Sequence, residues 1–174
     1  MADEIMVNRA PVLTLWGVVV AERLGFDRNE ALSLGKCLAG LNAQSKGRSL
    51  GIYGPPRGME KRAAKKLGLG EEFRVELCGR PLPAVRTKEG VRALIKDKPI
   101  EPESTQRYLE AKFGDEFESV RKAMSQLARA ISAKELKEQA YSLYEKFRPE
   151  IPHGTAGWGA KGKLDLNLIR SLAH

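Results

Sequence analysis

This 174-residue chain is poor in the side chains from which most catalytic centres are built. Its only histidines are His153 and His174, and its only cysteines are Cys37 and Cys78. Four such residues scattered along the chain do not have the spacing of a zinc site. No Ser-His-Asp or Cys-His arrangement can be laid out from them, and both cysteines read as plain reduced thiols. Carboxylate neighbours such as Glu71/Glu72 and Asp115/Glu116 stand at expected turns and helix starts, where capping explains them. No metal, cofactor or catalytic residue is assigned.

Long apolar runs are also missing. The longest candidate, Val12–Leu24, includes Thr14, Glu22 and Arg23. It falls short of the roughly 20 residues that a membrane helix needs. The opening MADEIMVNRA is acidic rather than basic, unlike a secretory signal. The expectation is a cytoplasmic protein with no membrane partner.

Nucleotide-binding glycine motifs fail on context. The segment GIYGPPRG lacks the Gly-Lys-Ser/Thr ending of a P-loop, and two prolines remove amide donors that a phosphate cradle uses. The run GWGAKG has the bare spacing G-x-G-x-x-G, but Pro152 and a loop precede it where a strand is required.

Positive charge is abundant, and it is concentrated. The chain carries 30 Lys and Arg against 22 Asp and Glu, a net charge of +8. Within QSKGRSLGIYGPPRGMEKRAAKK, residues 44–66, seven basic side chains face one glutamate, a local excess of +6. Such a concentration steers polyanions. Lys61, Arg62, Lys65 and Lys66 fall on one side of an expected short helix over 59–67, at i, i+3 and i, i+4 spacing. Lys46, Arg48 and Arg57 lie on the expected glycine-rich loop before it, where Tyr53 offers a ring for base stacking. Arg80 and Arg86, on an expected β-hairpin, extend the surface if the hairpin lies alongside.

The remaining patterns describe a mainly α fold. Val12 to Leu24 is apolar on nearly every side, as in a helix at the centre of a core, with Pro11 at its opening and Gly25 as its left-handed end. Asp27 and Glu30 form a capping-box pair for a second helix, whose Ala31, Leu34, Leu38 and Leu41 recur at helical spacing until about Asn42. Its Gly35 and Gly40 permit close packing on the first helix.

Phe73, Val75 and Leu77 alternate as a strand, Cys78-Gly79-Arg80 reads as a turn, and Leu82–Arg86 returns. Pro81 and Pro83 restrict the return strand to an edge. A short helix is expected at Lys88–Ile95. Helices follow over Pro102–Phe113, from Asp115/Glu118, from Ser132/Glu135 to Pro149, and over Asp165–Ala173, after a glycine-rich loop around Trp158. The expected architecture is an N-terminal helical hairpin, a short basic helix and β-hairpin, then a C-terminal helical bundle. It forms one domain over 1–174, divisible into lobes 1–98 and 99–174 at Asp97–Pro102.

The strings RAPVLTLWGVVVAERLGFDRNEALSLGKCLAGLNAQSKGRSLGIY and FRPEIPHGTAGWGAKGKLDL resemble a small uncharacterised prokaryotic protein family, to which no activity attaches. The order helix, helix, basic helix, hairpin is also similar to winged helix-turn-helix domains, which set a recognition helix in the major groove. The Gly/Pro-rich loop between the second and the basic helix departs from their tight turn.

These readings lead to non-enzymatic nucleic-acid binding through Lys46, Arg48, Tyr53, Arg57, Lys61, Arg62, Lys65, Lys66, Arg80 and Arg86. One alternative is a protein-interaction or structural module that meets an acidic protein partner. The other is an enzyme acting on a phosphorylated small molecule.

Overall fold

A computed structural model describes residues 4–49, 72–95, 98–149 and 161–173. Helix predominates among them. The expected basic helix over 59–67, Trp158 and both histidines lie outside the described residues.

The first strand, β1 (Glu4–Asn8), leads directly into α1 (Arg9–Arg23). All eleven residues from Pro11 to Ala21 are buried, so α1 is the central rod expected from its all-round apolarity. Its indole is anchored: Trp16 Nε1–H donates to the Ala140 carbonyl at 2.8 Å, and the ring meets Phe147 edge-on at 5.2 Å between centroids. Gly25 ends the helix at φ 111°. The amides of Gly25 and Phe26 donate to the carbonyls of Glu22 and Ala21, both at 3.1 Å, the double bond pattern of a Schellman cap.

Helix α2 (Arg28–Ser49) returns antiparallel after a connection of only four residues. The capping box forms in both directions. Glu30 N–H donates to Asp27 Oδ1 at 2.8 Å, and Asp27 N–H donates to Glu30 Oε1 at 3.1 Å. Gly35 is required by the helix crossing: a Cβ there would stand 2.5 Å from the Thr14 carbonyl oxygen and 2.7 Å from Val18 Cγ2. Gly40 instead faces Ile95 in the sheet. The helix continues past Asn42 to Ser49, further than the apolar periodicity indicates. That periodicity reports burial rather than helicity, and Ala43, Gln44 and Lys46 are adequate helix formers without it.

The expected hairpin is the beginning of a four-stranded antiparallel sheet in the order β2 (Phe73–Leu77), β3 (Arg80–Thr87), β4 (Gly90–Ile95) and β5 (Lys98–Pro99). Cys78 at φ 51° and Gly79 at φ 76° make the first turn. The helix expected over 88–95 is therefore a correction: it is turn and strand. Thr87 Oγ1 accepts from Glu89 N–H at 3.2 Å and donates to the Gly90 carbonyl at 2.9 Å, with Gly90 at φ 116°. All four residues from Val91 to Leu94 are buried, which removes the alternation that would have identified a strand.

The edge expectation for β3 also needs correction, since β3 lies between β2 and β4. Its prolines are nevertheless accommodated. Leu77 pairs with Arg80 across the first turn and Val75 with Leu82. Ladder alternation then turns positions 81 and 83 away from β2. On the opposite side the ladder to β4 covers only residues 84–87. The two missing N–H groups thus fall where β3 has no partner strand.

Side chains of α2 cover the free edge of β4. Glu30 Oε2 accepts from Val91 N–H at 2.9 Å, and Ser33 Oγ accepts from Ala93 N–H at 3.1 Å. Edge amides are satisfied without inviting another strand. β5 takes over further on, where Ile100 N–H donates to the Ala93 carbonyl at 2.9 Å.

Three helices follow: α3 (Pro102–Phe113), α4 (Phe117–Ala130) and α5 (Ala133–Phe147). Ser132 caps α5 by accepting from Glu135 N–H at 3.2 Å. The expected Asp115/Glu118 box does not form. Gly114–Glu116 make a 3-10 turn, and the cap position falls to Glu116 with no side-chain bond. Finally β6 (Lys161–Asp165) pairs antiparallel with β1, a ribbon absent from the sequence reading. Asp165 caps α6 (Leu166–Leu172) by accepting from the amides of Asn167 and Leu168 at 2.9 and 3.3 Å. One continuous core joins α1, α2 and the inner face of the larger sheet to the stripes of α3–α6.

Candidate polyanion-binding surfaces

The predicted basic residues fall into three groups. Tyr53, Arg57, Lys61, Arg62, Lys65 and Lys66 lie outside the described residues. Lys46 and Arg48 occupy the last turns of α2 rather than a loop. Positions two apart on a helix do not share a face.

Arg80 and Arg86 both belong to β3, on the same face but at opposite ends, about 20 Å apart at 3.4 Å per residue. Arg80 is partly buried beside the Cys78-Gly79 turn. Arg86 is exposed, and its guanidinium lies 5.1 Å from the centre of the Phe73 ring, a cation–π contact. The sheet therefore spreads these two cations apart.

A second basic region, missed in the sequence, is assembled by packing. On α4, Phe117, Val120, Met124 and Leu127 turn inward and are buried. The stripe opposite carries Glu118, Arg121, Lys122, Ser125, Gln126 and Arg129 at helical spacing. α6 sets Arg170 beside this stripe, closing a groove of about 630 Å3. The end of α1 contributes Glu22 and Arg23 to an adjoining cleft of about 280 Å3, which shares Arg121, Ser125 and Arg129 with the first. Five cations here meet two carboxylates.

The ion pairing within this region is loose. Arg121 stands 3.8 Å from Glu22 and 3.9 Å from Glu118. Among the described residues Lys122 and Arg129 make no ion pair. Two other guanidiniums are held: Arg23 Nη2–H donates to the Ile131 carbonyl at 3.2 Å, and Arg170 Nη1–H donates to Asn167 Oδ1 at 3.0 Å. In the sequence, the polar stripe of α4 is visible as the complement of its apolar face. Nothing local associates it with Arg23 or Arg170.

Nucleophile chemistry finds little support among the described residues. Cys37 and Cys78 are buried thiols outside any disulfide, and Cys37 Sγ–H donates to the Leu94 carbonyl at 3.5 Å. Burial pushes the Cys78 thiol up to about 12, which leaves almost no thiolate at neutral pH. Burial, and secondarily Lys112, lowers the Lys36 amine from its ordinary value. The Lys36 ammonium lies 4.0 Å from the centre of the Tyr108 ring, an ordinary structural cation–π pair. Among the described residues no group of three or more His, Cys, Asp or Glu side chains is placed to hold a metal, and no helix is long and apolar enough to cross a membrane.

No family model, curated protein or solved structure matches this chain.

Proposed function

We propose that the chain is a non-enzymatic nucleic-acid-binding protein that contacts the phosphate backbone through residues 46–66. One observation carries this reading: seven cations and one carboxylate lie within 23 consecutive residues. The continuation of α2 beyond its apolar stripe supports it, because Lys46 and Arg48 then extend a helix whose earlier turns are committed to the core. Phosphate neutralisation by Lys and Arg gives affinity without reading sequence.

The test is fluorescence anisotropy with labelled duplex DNA, single-stranded DNA and RNA across a salt series. If all seven cations meet phosphates, log K falls against log salt with a slope of about −6 on duplex DNA. The variant Lys61→Gln/Arg62→Gln/Lys65→Gln/Lys66→Gln loses about four contacts and flattens the slope to about −3. Absence of binding at about 50 mM salt by the folded protein refutes the reading, since backbone contacts are strongest at low salt.

A further inference from the structure

We infer that the groove between α4 and α6 is a separate anion site, built for a compact ligand carrying two or more phosphate groups. It does not rest on the nucleic-acid reading, because it shares no residue with 46–66.

Arg121, Lys122, Arg129 and Arg170 line the groove with Glu118 as its only carboxylate. Like charges on neighbouring helical turns repel, and the contacts of Arg121 with Glu22 and Glu118, at 3.8 and 3.9 Å, are too long to neutralise it well. A phosphate oxygen at hydrogen-bond distance would replace them with shorter, charge-assisted bonds.

Part of the cationic region is also preorganised. Arg170 is braced by Asn167, and Arg23 by the Ile131 carbonyl at the end of α4. Arg170 in the groove and Arg23 in the adjoining cleft are thus restrained before any ligand arrives, which reduces the ordering cost of binding. Arg121, 28% exposed, is held only by its long contacts with Glu22 and Glu118 and is free to turn toward a ligand. Ser125 and Gln126 add neutral donors within the same lining.

Shape and wall chemistry select the ligand class. A groove of about 630 Å3 lies in the usual range for small-molecule sites. Its lining contains no aromatic ring, and Ala123 is its only apolar residue, so a nucleobase finds nothing to stack on. Lys122 and Arg129 begin two helical turns apart, about 10.5 Å along the axis. A ligand with phosphates at both ends matches that separation better than a single phosphate. The ordinary alternative is a solvated helix face that binds nothing specifically.

The experiment is isothermal titration of the full chain with sodium tripolyphosphate in 150 mM NaCl, with orthophosphate and ATP in parallel. Tripolyphosphate is expected to bind at least tenfold tighter than orthophosphate. ATP should fall within about twofold of tripolyphosphate, since the groove offers its base no partner. Lys122→Gln/Arg129→Gln should weaken tripolyphosphate at least tenfold, while Glu118→Gln should tighten it two- to threefold. The quadruple glutamine variant of residues 61–66 should bind as the parent does. No heat at millimolar tripolyphosphate, equal binding by the groove variant, or loss confined to the 61–66 variant would each overturn the proposal. DNA binding by the groove variant, measured by anisotropy, should be unchanged, so failure here and failure of the nucleic-acid reading are told apart.

Discussion

Helices α1 and α4 have nearly the same length, 15 and 14 residues, and opposite roles. α1 buries eleven consecutive residues and touches protein on every side. α4 buries six, all on one stripe, and leaves a cationic stripe outside. The first helix is constrained by volume, where a single methyl group is felt. The second is constrained by volume on one face and by charge on the other. Substitutions should therefore alter stability around α1 and binding around α4.

The largest effect is expected at the α1–α2 crossing. Gly35→Ala places a Cβ against the Thr14 carbonyl oxygen, a backbone atom that cannot swing aside. Loss of about 3 kcal/mol in urea unfolding is expected. Gly17→Ala meets the flexible Leu38 Cδ2 at 3.0 Å and the Gly35 Cα at 3.1 Å, and should cost less. A reversed order would mean that the crossing is looser than described.

Next comes Trp16→Phe, which removes the bond to the Ala140 carbonyl and leaves a gap against Phe147. It should cost about 2 kcal/mol in the same assay. Glu30→Ala removes an acceptor from both Asp27 N–H and Val91 N–H. A cost of about 1–2 kcal/mol is expected. Hydrogen exchange should locate it, with the Val91 amide losing protection while the amides of α1 keep theirs.

The smallest effect on stability belongs to the α4 stripe. Lys122→Gln/Arg129→Gln should shift unfolding by no more than about 0.5 kcal/mol. A larger loss would mean that these cations serve the fold.

The buried thiols sharpen the contrast by pH. Cys78 is raised from its ordinary value to about 12 in the folded chain. A raised folded value means that the unfolded chain releases the proton first. The stabilisation is complete below about pH 9 and is lost progressively as pH rises toward 12. Tyr144, raised mainly by burial, acts in the same direction. Unfolding midpoints should fall across that window, and less steeply in Cys78→Ala. Neither cysteine of the native chain should react with a disulfide reagent at pH 8.

Much of the helical framework was legible because it is written in short-range chemistry. The Gly25 cap, the Asp27/Glu30 box, the Ser132 cap and the stop of α5 before Pro149 each depend on a few neighbouring residues. Strand β4 was illegible for a related reason. Its two-sided burial gives VRAL no alternation, and its turn rests on Thr87, which resembles any polar residue in a loop. The Asp115/Glu118 pair shows the converse: the right residues at the right spacing form no box when Gly114 tightens the preceding turn.

Pairings across the chain had no local signal at all. Leu164 and Val7 are buried because β6 and β1 meet from opposite ends of the chain, and neither strand advertises the other. The same holds for the candidate site. The excess charge of residues 44–66 can be counted from the chain alone, because it is a density along the backbone. The groove and its adjoining cleft cannot, because Arg23, Arg121, Arg129 and Arg170 are brought together by the packing of α1, α4 and α6 around a shared core. Caps, turns and apolar faces follow from interactions within a few residues. Which charged faces end up opposite one another depends on how those elements bury their apolar sides, and that is settled only when the whole core closes.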